Sequence, residues 1–167
     1  FQTYEDELIT WNQQVNLTAI DTADQIRTKH FLDSISTICV LRGSPLNSLV
    51  DVGTGAGFPG IPLKILFPEM RLTLIESVGK KAAFCQHLVN CLGLNGVEII
   101  TERAESLGQN SQHRERYDWA VARAVAILPV LTYYLLPFAR VGGALLVMKV
   151  EQAPAEVHRA EHAIKVL

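Results

Sequence analysis

The sequence predicts an α/β fold, a mostly parallel sheet flanked by helices and preceded by N-terminal helices. Three observations predict it. From residue 48 onward, short apolar runs alternate with helix-patterned segments, the order that builds a parallel sheet with crossover helices. The first run leads into a turn crowded with Gly53, Gly55 and Gly57. The chain of 167 residues is 49% hydrophobic and 19% charged, enough apolar surface to cover both faces of such a sheet.

Each element has its own signal. Residues 1–14 carry Tyr4, Leu8 and Trp11 at helical spacing. Residues 21–41 predict a second helix with an apolar stripe of Phe31, Leu32, Ile35, Ile38 and Cys39, closed by the breaker Arg42-Gly43-Ser44-Pro45. Strands are expected at residues 48–52, 71–75, 97–101, 119–122 and 144–149, and helices at 61–67, 80–92, 127–136 and 153–167. The helix at 80–92 is expected to turn Ala83, Phe84, His87, Leu88 and Cys91 to one side. The division is a single domain, 1–167, with a helical part at 1–45 and the sheet-bearing core at 46–167.

Composition excludes several classes of protein. The net charge of −2 argues against a uniformly basic coat, so RNA contact needs a local patch. Cys39, Cys85 and Cys91 are odd in number and form no CxxC pair. A disulfide framework or zinc site is not expected, no metal is expected, and the cysteines read as small buried apolar residues. The opening FQTYEDEL has no signal-peptide pattern. The apolar stretch at 120–148 is cut by Arg123, Pro129, Pro137, Arg140 and Gly142-Gly143, too often for a membrane span of ~20 residues. A cytoplasmic protein is expected.

Chemistry should gather at the carboxyl ends of the strands, where open α/β sheets bind ligands. Gly53, Gly55 and Gly57 let backbone turn sharply and approach a ligand, and the helix behind them should offer unpaired N–H groups. Gly55, Gly57 and Gly60 also spell GxGxxG, the dinucleotide fingerprint, which by itself is a weak signal. Two features favour S-adenosylmethionine. Asp51, two residues before the first glycine, can organise the loop and attract the cationic methionine end, while repelling a diphosphate. Pro59 and Pro62 crowd the start of the helix. Glu76, 23 residues after Gly53, can accept from both ribose hydroxyls.

Residues 104–106, Ala-Glu-Ser, follow the third strand, where an adenine ring would lie; a plain helix cap explains them equally well. Arg123 ends the fourth strand and can contact cofactor or substrate, or pair with a loop carboxylate. No NPPY or DPPY string stands there, which argues against methylation of an exocyclic amine. His30, Asp33, Ser34 and Thr37 share a helix face. With no GxSxG elbow they do not make a hydrolase triad, so they fix the helix to the sheet or line a pocket. Lys80-Lys81, Arg27, Lys29 and Arg103 form an RNA patch only if they face one side.

Taken together, these segments resemble the bacterial 16S rRNA guanine-N7 methyltransferase G family, also called glucose-inhibited division protein B. The resemblance rests on WNxxxNLT at 11–18, HFLDS at 30–34, DVGTGAGFPGIPL at 51–63, ESVGKK at 76–81, AES at 104–106, ARA at 122–124 and Lys149. It implies a Rossmann-like class I S-adenosylmethionine-dependent methyltransferase acting on N7 of one guanine, with 16S rRNA or the small ribosomal subunit as partner; a monomer is expected as the working form. Cofactor contacts carry over to Gly53, Phe58, Ala104, Glu105 and Arg123, with Glu76 as the ribose acid and Arg123 also as the residue at the transfer site. Two departures stand out. The family continues past the last helix with further strands, so the C-terminal edge is expected to be truncated, and Val150 replaces a glycine. Guanine N7 has a lone pair and no hydrogen, so no general base is needed and none is found. The competing readings are a nicotinamide-dependent oxidoreductase using the same loop and a noncatalytic RNA-binding module.

Overall fold

A parallel sheet organises the molecule. The computed structural model describes residues 1–123 and 128–148. Strands β1 (Ser48–Val52), β2 (Arg71–Ile75), β3 (Val97–Ile100), β4 (Tyr117–Arg123) and β5 (Ala139–Met148) lie in the order β3-β2-β1-β4-β5, each pair parallel. All five residues of β1 are buried, the mark of a strand covered on both faces. Its side chains alternate between two cores. Leu49 joins Leu72, Leu74, Ile61 and Phe84 in one. Val50 and Val52 join Ala120, Ala122, Leu131 and Phe138 in the other.

Helices fill the connections. They are α5 (Gly60–Leu66), α6 (Gly79–Cys91), α7 (Ala104–Leu107) and α8 (Leu128–Leu135). Before the sheet come α1 (Gln2–Val15) and a second helical run. That run consists of α2 (Ala23–Ile26), a π-helical turn at Arg27–Leu32, α3 (Asp33–Ser36) and α4 (Ile38–Leu41). Asn16 ends α1 at φ 34°, a left-handed position that asparagine tolerates. The expected last helix, with Lys149, Val150 and Ala124, lies outside the described residues.

Two helix faces differ from expectation. The second run buries Ile26, His30, Phe31, Ser34, Thr37 and Leu41, while Leu32 and Cys39 are exposed. Its inward face is partly polar because Ser34 Oγ donates to the His30 carbonyl at 2.6 Å and Thr37 Oγ1 to the Ser34 carbonyl at 2.7 Å. Hydroxyls that bond their own helix need no partner elsewhere. In α6 the buried set is Ala82, Phe84, Cys85, Leu88 and Val89, with Ala83 and Cys91 outside. Only Cys85 is a buried cysteine; Cys39 and Cys91 are exposed. Burial pushes the Cys85 thiol well up, so it stays protonated.

Among the described residues no helix is long and apolar enough to cross a membrane.

Candidate active site

The strand order reverses between β1 and β4, so the crevice opens where those strands end. Asp51 pairs with Val121 in register, which brings Arg123 level with Gly53. A cavity of about 380 Å³ opens there, lined by Thr18, His30, Gly53, Gly55, Phe58, Glu76, Lys81 and Arg123 among others. A second, of about 190 Å³, shares Gly53 and Ser77 with it and adds Arg103, Ala104, Glu105 and Tyr134. Every residue expected to contact the cofactor or sit at the transfer site therefore lines one of two adjoining hollows, except Gly57 and Asp51.

Gly57 works from behind. Its φ is 94°, and a Cβ there would meet Ile61 Cδ1 at 2.6 Å and the Tyr4 hydroxyl at 2.7 Å. Tyr4, which the sequence pattern marks only as an apolar helix position, donates its hydroxyl to the Ala56 carbonyl at 2.6 Å and so clamps the loop. Gly53 and Gly55 also have positive φ, 68° and 60°.

The loop spends its amides inward. Gly53 and Thr54 N–H both donate to the Ile75 carbonyl, Gly57 and Phe58 to the Thr54 carbonyl, and Ile61 to the Gly57 carbonyl. Gly55 N–H donates to Glu76 Oε2 at 2.9 Å and Gly60 N–H to Asp51 Oδ2 at 2.8 Å. The expectation of unpaired N–H groups at this helix start is thus overturned. A dinucleotide fold offers those groups to a diphosphate; here a carboxylate already occupies the helix start.

Asp51 does not reach the cavity. It is fully buried, accepts from Thr54 Oγ1 at 2.8 Å as well as from Gly60, and leaves Oδ1 without a partner. Burial raises its carboxyl from 3.8 to about 6, against the pull of those two hydrogen bonds. Its part is to pin the loop to the helix, and the direct attraction of a cationic ligand expected for it is not available through contact.

Glu76 is buried, with Oε1 accepting from Val78 N–H at 2.8 Å and Oε2 from Gly55 N–H. A carboxylate has about four acceptor sites, so each oxygen keeps acceptor capacity at a residue that lines the cavity. Two parallel acceptors at a strand end fit a ribose diol. In the smaller hollow, Ala104 and Glu105 open α7, and the Glu105 carboxylate beside Tyr134 raises that phenol.

Arg123 closes the other side. Its Nη1 donates to the Lys29 carbonyl and to Asp33 Oδ2, each at 3.2 Å, and Nη2 lies 3.0 Å from His30 Nδ1. Its guanidinium carbon sits 4.9 Å from the Phe58 ring centroid. Phe58 in turn stacks on His30 at 4.5 Å and on Tyr4 at 5.1 Å. An arginine can only donate, so His30 Nδ1 accepts and its proton sits on Nε2. Nε2 then donates to Thr18 Oγ1, 2.9 Å away. Burial, with Arg123 adding to it, lowers the imidazole from 6.5 to about 4 and keeps it neutral. Thr18 Oγ1 also accepts from Ile20 N–H. With both acceptor sites taken, its own O–H remains available as a donor, and Thr18 lines the cavity.

The π-helical turn that aims His30 and the Asn12 side chain that holds the Thr18 turn were not legible in spacing. Of the basic residues, Arg27 is consumed by a bidentate pair with Glu5, whereas Lys81 and Arg103 border the two hollows.

The glycine turn, the buried acid that ends β2 and the sheet order define a Rossmann-like class I S-adenosylmethionine-dependent methyltransferase. Solved structures share this fold. A putative caffeoyl-CoA O-methyltransferase from Staphylococcus aureus matches with a TM-score of 0.65 at 13% identity, over 97% of this chain and 80% of that one. A SAM dependent methyltransferase from Aquifex aeolicus matches with 0.62 at 16%, over 90% and 85%. The family model for rRNA small subunit methyltransferase G, GidB, matches residues 1–167. The ribosomal RNA small subunit methyltransferase G of Roseiflexus castenholzii is 52% identical over 98% of this chain and 70% of its own. That of Alkaliphilus metalliredigens is 48% identical over 99% and 69%. The chain belongs to the rRNA small subunit methyltransferase G family.

Proposed function

We propose that this chain methylates N7 of a guanine in 16S rRNA, alone or in the small ribosomal subunit, acting as a cytoplasmic monomer. The observation that carries the cofactor assignment is the spent helix start: amides that would hold a diphosphate are bonded to Asp51, Glu76 and loop carbonyls. S-adenosylmethionine, when bound, supplies an electrophilic methyl on a positively charged sulfur. The chain's residues do the rest. Gly53, Gly55 and Phe58 form the wall against the methionine end, Glu76 accepts from the ribose, and Ala104 and Glu105 receive the adenine.

The substrate side is supplied by polar residues that line the cavity. Arg123 and Thr18 both carry hydrogen-bond donors there, the chemistry that the acceptor edge of guanine, N7 and O6, requires. Attack by a nitrogen lone pair needs alignment and a near-attack distance of ~3–3.5 Å rather than a base. The imidazole in the cavity, His30, has both nitrogens engaged, consistent with that chemistry. Lys81 and Arg103 border the mouth and are placed to meet phosphates, so RNA association should weaken steeply with salt.

Parallel titrations with S-adenosylmethionine and NAD, followed by transfer of labelled methyl to small ribosomal subunits, test the proposal. Binding of the first ligand alone, with label in RNA, is expected. A preference for NAD would replace the reading with an oxidoreductase, and RNA binding without label would replace it with a binding module.

A further inference from the structure

About two to three turns along α6 from Lys81, a second cluster of chemistry-bearing side chains lies outside the cavity. Glu7 on α1 and His87 on α6 meet through Oε2 and Nε2 at 2.7 Å. Cys91, one turn beyond His87, places Sγ 3.4 Å from the same Nε2. The donor atoms of these three residues all lie within 4.8 Å of one another. The ring is held in place by Trp11, which packs on it at a tilt of 34° with centroids 5.0 Å apart, and Trp11 is backed by Phe84 at 5.5 Å.

One nitrogen, one sulfur and one oxygen form a donor set for a borderline-soft divalent ion; calcium and magnesium select oxygen. Tetrahedral zinc bonds of ~2.0–2.3 Å set ligand atoms roughly 3.3–3.6 Å apart. The sulfur–nitrogen gap is already close to that, and the oxygen–nitrogen gap needs to open by a little over half an ångström, within side-chain rotation. His87 and Glu7 are about one-third exposed and Cys91 is exposed, so a fourth position faces water.

We propose that Glu7, His87 and Cys91 form a binding site for a divalent cation of the zinc class, clamping α1 to α6. The site departs from the expectation of no metal because its ligands come from two helices 80 residues apart in sequence, with no CxxC spacing to announce them. It stands independently of the methyl-transfer reading. It bears on the same framework, since α1 also carries Tyr4, which holds the glycine loop, and Asn12, which holds the Thr18 turn.

Cobalt(II) titration of the reduced, chelator-free protein tests it. One equivalent should produce a thiolate-to-metal charge-transfer band and quench Trp11 emission. The band should vanish in Cys91→Ser and persist in Cys39→Ser. His87→Ala and Glu7→Gln, checked for folding by circular dichroism, should bind on the order of tenfold more weakly or worse. Zinc should raise the Tm of the unaltered chain and not that of Cys91→Ser. No band at stoichiometric cobalt, a band surviving Cys91→Ser, or wild-type affinity in both His87→Ala and Glu7→Gln overturns the proposal.

Discussion

Arg123 Nη2 and His30 Nδ1 face each other across 3.0 Å, and that contact fixes the proton of the imidazole on Nε2. The ring should remain the neutral Nε2–H tautomer at pH 6, where a free histidine is largely protonated. The sign follows from the lowered value: the unfolded chain takes up a proton between pH 6.5 and about 4 that the fold refuses, so stability attributable to His30 is lost as pH falls through that window. Ring nitrogen-15 resonances measure this directly. Arg123→Ala should release the tautomer and weaken methyl transfer at least tenfold. A ring already protonated at pH 6, or an Arg123→Ala variant with unchanged cofactor affinity and transfer, contradicts the assignment.

Thr18 separates substrate recognition from cofactor binding. Thr18→Val keeps shape, removes the donor and leaves His30 Nε2–H and Ile20 N–H without their acceptor. Loss of one such hydrogen bond, about 1–2 kcal/mol, should lower methyl transfer roughly 5–30-fold while S-adenosylmethionine affinity stays put. Thr18→Ser should restore most of the rate. Equal loss in both variants would show that the methyl group matters and the hydroxyl does not.

The glycines differ in what they forbid. Gly57→Ala adds a Cβ at 2.6 Å from Ile61 and 2.7 Å from Tyr4, on top of an unfavourable φ, and should cost about 2–4 kcal/mol along with cofactor binding. At Gly55 no atom lies within 4 Å of the added carbon, so only the left-handed backbone is penalised, about 1–2 kcal/mol. Thermal melts of the two variants rank them, and a Gly55→Ala as damaging as Gly57→Ala would refute the clamp by Tyr4.

Asp51 has a pH signature of opposite sign to His30. Its carboxyl, raised from 3.8 to about 6 by burial, holds a proton in the fold that the unfolded chain has already released. Stability attributable to it therefore falls as pH rises from about 4 to 6, by up to about 3 kcal/mol. Asp51→Asn keeps an acceptor oxygen for Gly60 N–H and should flatten that part of the profile. Denaturant melts of both proteins from pH 4 to 7 measure the difference, and parallel curves would show that Asp51 titrates normally.

The sheet was legible because alternating apolar runs and helical stripes leave few topologies: β1 and β2 fall on the expected residues. Helix faces were less so. The π-helical turn at 27–32 shifts the phase of its helix, and the hydroxyls of Ser34 and Thr37 hide inside by bonding their own backbone. At the site, glycine spacing and Glu76 marked the hollow. Whether a loop amide points out or in depends on tertiary partners such as Asp51 and Thr54, which no spacing rule reports. The Arg123–His30–Thr18 chain joins residues up to 105 positions apart and exists only once α1, the π-helical turn and β4 have packed.

Digestion of small ribosomal subunits after incubation with this protein and methyl-labelled S-adenosylmethionine, with chromatography of the nucleosides, tests the central claim most directly. The label should co-migrate with 7-methylguanosine. Label on any other nucleoside, or none in the RNA, would contradict it.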